Sequence, residues 1–176
     1  MLSPNSSKAR FISFIALFTA LAMMFSYIEA LFPINVGVPG AKLGIANLAI
    51  IFVLYSFGAK PAIAVNVLRI AMNGLLFSGI FGMLFSLAGG LLSIFTMIAL
   101  KRTGLFSIIG VSIAGGVVHN VGQLLTAALL ISNVRIFLYF PFLLFFGLIS
   151  GTIIGVISLL VLRRLQFMIP QEEPSV

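Results

Sequence analysis

Cysteine, aspartate and tryptophan are missing altogether, and only three carboxylates occur in 176 residues. Each absence removes a class of chemistry. Without cysteine there are no disulfides, no thiolate metal sites and no thiol nucleophile. Glu172 and Glu173 sit in a polar C-terminal stretch, so Glu29 has no second carboxylate with which to share acid–base work. Charge of either sign is scarce, at 7% of residues where a soluble domain carries about 25%. What fills the chain instead is apolar: 61% of residues are hydrophobic and the mean hydropathy is +1.28. A soluble globular protein is excluded. Because a membrane-spanning helix needs roughly 20 residues plus a connection, the length admits about six or seven spans and no separate water-soluble domain.

The few charges report orientation. The net charge of +7 would suit nucleic acid, but seven of the ten cations flank apolar runs and do not form a patch. Residues 1–10 form a short basic segment, expected to be cytoplasmic, and the apolar run from Phe11 to Phe32 is a retained first helix. It is too long for a secretory signal core and lacks a small-x-small cleavage site. The Pro- and Gly-rich stretch from Phe32 to Lys42 reads as an ordered loop. Further spans are expected over Leu43–Phe57, Pro61–Phe77, Met83–Leu100, Leu105–Ile131 and Pro141–Arg164, with turns at Gly58–Pro61, Ser78–Gly82 and Ser132–Arg135. Residues 11–164 thus form one six-helix membrane domain, and residues 165–176 a cytoplasmic tail. With both termini inside, the inner side collects Lys8, Arg10, Lys60, Lys101, Arg102, Arg163 and Arg164, against Lys42 and Arg135 outside. That asymmetry satisfies the positive-inside rule. No internal repeat is evident.

Ionisable and amide side chains within a span are costly, about 3 kcal/mol for a charge at mid-membrane, so each requires a reason. Arg69 lies eight residues into the third span, about 12 Å from its inner end. Asn66 and Asn73, three and four residues away, share its face and make a polar stripe. His119 and Gln123 stand one turn apart on the fifth span with Asn120 beside them, about 21 Å up. Glu29 closes the first span, Lys42 lies in the following loop, and Asn47 is near the outer end of the second span. Glu29, Lys42, Asn47, Asn73, His119, Asn120 and Gln123 therefore gather at the outer side from four helices and one loop, with Arg69 beneath them. The cluster is cationic on balance and suits an anionic or amphipathic small molecule, while a purely structural polar network is the competing reading. One His, one Glu and amides are a poor metal set. Small residues thin two helices: Gly147, Gly151 and Gly155 on the sixth, and Ser112, Gly115, Gly116 and Gly122 on the fifth. They provide a close helix contact, within one copy or across a homodimer seam.

Three stretches in order, "EALFPINVGVPGAKLGIAN" (Glu29–Asn47), "NVLRIAMNGLLFSG" (Asn66–Gly79) and "GVSIAGGVVHNVGQL" (Gly110–Leu124), resemble the Gx transporter family of bacterial membrane proteins. That family is also described as heptaprenyl diphosphate synthase component I. It is similar in size and span count to the substrate-binding S components of energy-coupling factor transporters, which implies an all-α bundle in the bacterial cytoplasmic membrane. The resemblance further implies a ligand pocket open to the outside and partners in a coupling T component and an ATPase pair. It assigns Ala16 and Ala20, which match an A-x-x-x-A pattern, to docking on the T component. No cofactor is implied. The synthase name meets a chemical obstacle: prenyl diphosphate synthases hold magnesium on aspartate-rich motifs, and there is no aspartate here. The chain is therefore expected not to be an enzyme. The expected function is capture of a small molecule, with Glu29, Lys42, Asn47, Arg69, Asn73, His119, Asn120 and Gln123 as its contacts. The chain has no P-loop, so translocation would depend on partner subunits. The alternative is a non-catalytic accessory subunit of a prenyl-chain synthase or a membrane redox complex.

Overall fold

The computed structural model describes residues 4–31, 44–132 and 134–168, and every regular element among them is helical. In chain order these are α1 (Pro4–Leu31), α2 (Ala46–Phe57), α3 (Ala59–Asn73), a π-helical turn (Gly74–Ser78), α4 (Gly79–Thr103), α5 (Ile108–Ile131), a 3-10 segment (Val134–Tyr139) and α6 (Phe140–Met168). Four apolar stretches are long enough to cross a membrane: Phe11–Glu29, Ala59–Thr103, Ile108–Leu130 and Val134–Arg164. Helix α2 is the exception. Its 12 residues extend only about 18 Å, short of a bilayer core.

The stretch from Ala59 to Thr103 is not one straight rod, which at 45 residues would reach about 67 Å. It folds back on itself. Asn66 on α3 meets Gly90 on α4, and Gly74 lies against Met83, as two antiparallel helices require. The reversal is made at Gly79, whose φ of +67° is readily adopted only by glycine. The turn expected over Ser78–Gly82 is therefore a single-residue break between helical segments, and the last turn of the third span is wound as a π-helix. Two other boundaries move. Helix α1 begins at Pro4, inside the basic segment, and α6 continues past Arg164 to Met168, into the stretch expected to be tail. Pro61 and Pro141 both lie in first turns, where a missing N–H costs nothing.

Helix α1 packs on α2 and α3, α3 on α4, α4 on α5, α5 on α6, and α6 returns to α2, so the helices close a circuit. Short α2 is deeply buried: Ile50, Ile51, Val53 and Leu54 are fully buried and belong to one apolar core with Ala62 and Val65 of α3, Ile94, Met97 and Ile98 of α4, Val111 of α5 and Ile154 of α6. Toward the predicted inner end, Phe14 and Phe18 of α1 stack with Phe52 and Phe57 of α2. There the Lys101 ammonium donates to the Leu54 carbonyl at 2.5 Å and lies over the Tyr55 ring. Lys101 thus satisfies a carbonyl in the last turn of α2, which has no intrahelical partner of its own. The outward surface is apolar, with Leu75, Phe81 and Leu129 among many exposed large side chains, as a lipid-facing surface should be.

Within one copy, Ser112 and Gly116 of α5 meet Gly147, Gly151 and Gly155 of α6, while Gly115 and Gly122 of α5 face α4. A Cβ at Gly151 would stand 2.6 Å from Ile113 Cα, at Gly116 2.8 Å from the Gly147 carbonyl, and at Gly155 2.8 Å from Ile109 Cα. Backbone meets backbone here, so neither side can yield. Gly151→Val is expected to lose about 1–3 kcal/mol by overpacking, read as a lower thermal unfolding midpoint in detergent. Gly104→Ala, at an open turn with φ +69°, meets no neighbour and should cost only about 1 kcal/mol, from the left-handed backbone alone.

Candidate functional site

The polar groups on α3 face inward because helical spacing sets Asn66, Arg69 and Asn73 on one side while Leu68 and Met72 point to the exposed surface. Asn66 is 2% exposed and Arg69 8%. A guanidinium this deep in an apolar bundle needs partners, and Asn66 supplies the first. Arg69 Nη2 donates to Asn66 Oδ1 at 2.8 Å, and Asn66 Nδ2 donates to the Gly90 carbonyl at 3.0 Å. The carbonyl of a glycine is reachable because no side chain covers it, and a Cβ at Gly90 would sit 3.3 Å from Asn66 Nδ2. Among the described residues, buried Arg69 Nε has no acceptor and buried Asn73 Oδ1 no donor.

Glu29, at the end of α1, accepts a hydrogen bond from the Gly44 backbone N–H at 2.6 Å and is close enough to Arg69 to interact with it electrostatically. It therefore joins the entry of α2 to the buried cation. Gly44 adopts φ +72°, and the Asn47 side chain lies against it, with Asn47 N donating back to the Gly44 carbonyl at 2.8 Å. On the other side of α4, a Cβ at Gly89 would press on the His119 carbonyl at 2.7 Å, Gln123 Cγ at 3.0 Å and His119 Cε1 at 3.2 Å. The adjacent glycines Gly89 and Gly90 thus let α5 and α3 approach α4 at one level. They bring His119 and Gln123 to the same level of α4 as Asn66.

The structure gathers Glu29, Asn47 and Arg69 around the α1–α2 junction, and sets Asn73 one turn from Arg69. It separates Asn120 from its neighbours: that amide, 4% exposed, donates to the Leu143 carbonyl of α6 at 2.8 Å and faces away from α4. Its work is to tie α5 to α6. Lys42 lies outside the described residues. Ala16 and Ala20 are exposed on α1, as residues facing lipid or another chain would be. Among the described residues no three His, Cys, Asp or Glu side chains converge as a metal set. The sequence puts Asn66 on the polar stripe beside Arg69 but gives no role to Gly89 and Gly90, for which the Gly-Gly pair in the middle of an apolar helix is the available signal.

The family model described as heptaprenyl diphosphate synthase component I matches residues 18–161, which contain every residue just described except Ala16. No curated protein and no solved structure matches the chain.

Asn66 and Asn120 offer a contrast. Asn66→Leu removes a partner from a buried charge and should cost about 3 kcal/mol or more, whereas Asn120→Leu loses one interhelical hydrogen bond worth about 1 kcal/mol. Paired thermal unfolding in the same detergent checks the order.

Proposed function

The chain belongs to the heptaprenyl diphosphate synthase component I family, and we propose that it is a membrane subunit that captures a small anionic or amphipathic molecule at its outer half. The observation that carries this reading is Arg69. A cation held in an apolar bundle with a buried donor left over is expensive to keep for packing alone. An anionic oxygen on a ligand would satisfy it. Glu29 holds Arg69 in the absence of ligand and fixes the start of α2, while His119 and Gln123 add hydrogen-bonding groups at the level of Gly89. Lys42 supplies a further cation in the outer loop.

In this reading the six helices all cross the membrane, with both termini in the cytoplasm. Short α2 crosses packed against α1, α3 and α6. The absence of native cysteine makes the topology easy to test. Ser132→Cys, between α5 and α6, should react with a membrane-impermeant maleimide on intact cells, and Ser107→Cys, between α4 and α5, only after permeabilisation. Reaction of both from outside would contradict the arrangement.

Delivery of the ligand requires partners, and Ala16 and Ala20 on exposed α1 are the surface offered to a coupling subunit served by an ATPase pair. The family description favours a second reading, in which the chain is a non-catalytic accessory component of a prenyl-chain synthase. Gentle extraction separates the two. Capture requires a small acid that copurifies with the wild type and is lost from Arg69→Met, with the variant still folded in the same detergent. Stable association with a soluble synthase, with no small molecule retained by either form, supports the accessory role.

A further inference from the structure

The polar face of α3 carries more information than its charge. Asn66 occupies Nη2 of Arg69 and is itself held by Gly90, so the guanidinium is fixed along one edge. Its Nε, buried and without an acceptor among the described residues, is the donor left for a ligand. One turn further along the same face, Asn73 Oδ1 is buried and has no donor among the described residues. Ser78 Oγ donates to the Asn73 backbone carbonyl and not to its side chain. A site with one unfilled donor and one unfilled acceptor is not matched by a bare anion, which would serve Arg69 and leave Asn73 desolvated and unpaired. Glu29 adds a sign constraint. Its carboxylate already acts on Arg69, so a second negative group on the ligand would be repelled.

We propose that the site selects a monocarboxylate that also bears a hydroxyl or amine, with Arg69 taking the acid and Asn73 Oδ1 the O–H or N–H. The two groups would be separated by roughly the 5–6 Å between side chains one helical turn apart. Asn73 is then the specificity-determining residue. The inference rests on the anion-binding reading of Arg69 and adds what must accompany the anion.

The test uses straight-chain carboxylates of about four to eight carbons, chosen to bracket that spacing, each with and without a terminal hydroxyl. Their binding to the purified full-length chain is followed by the rise in unfolding midpoint with concentration. The hydroxylated member of at least one matched pair is expected to bind the wild type at least about tenfold more tightly than its plain partner, since a buried acceptor left unpaired is penalised. Asn73→Leu should erase that preference while still binding the plain acid, and Asn73→Ser should restore part of it. Arg69→Met should lose both acids. Equal binding of every pair to the wild type, or a preference that survives Asn73→Leu, overturns the selectivity and leaves Arg69 as an anion site. No response to any acid in the wild type, or an unchanged response in Arg69→Met, overturns the anion site itself and the selectivity with it.

Discussion

The structure is organised around the cost of one buried cation. Arg69 sits inside a bundle whose apolar core is isoleucine, valine, leucine, alanine and methionine, and the surrounding backbone is arranged to receive it. Asn66 binds it and is anchored to the Gly90 carbonyl, Glu29 answers its charge, and Glu29 in turn holds the Gly44 N–H at the entry to α2. Four helices are thereby registered against one guanidinium. In a medium without water each of these contacts resists loss, because the alternative is an unsatisfied group in hydrocarbon.

Packing elsewhere works by removal of side chains. Gly116, Gly147, Gly151 and Gly155 let α5 and α6 meet backbone to backbone, and Gly89 and Gly90 bring α5 and α3 onto α4. Lipid tails are as apolar as leucine, so helices gain little from hydrophobic burial against one another and rely on close contact and polar ties. The Asn120 amide on the Leu143 carbonyl and the Lys101 ammonium on the Leu54 carbonyl are ties of that kind.

The helical architecture and the stripe on α3 were legible in the sequence, because both depend on local periodicity: long apolar runs, and polar residues three and four apart. The small-residue ridge was legible for the same reason, though not its partner. What could not be read is whatever depends on which helix lies opposite. His119 and Asn120 are neighbours in the chain, yet about 100° of helical rotation sends one toward α4 and the other toward α6. Lys101 reads as a topology signal and turns out also to cap α2. Asn66 belongs to the site because of Gly90, 24 residues away, and only the reversal at Gly79 brings them together.

The claim on which the account stands is that Arg69 Nε is the atom a ligand meets. Nitrogen NMR of the arginine-labelled full-length chain in detergent reads that atom directly, with the Arg69 signal identified by its loss in Arg69→Lys. Addition of the bound acid should shift the Arg69 Nε–H resonance and leave those of Arg102, Arg163 and Arg164 in place. A ligand that binds while the Arg69 resonance stays where it was would contradict the account.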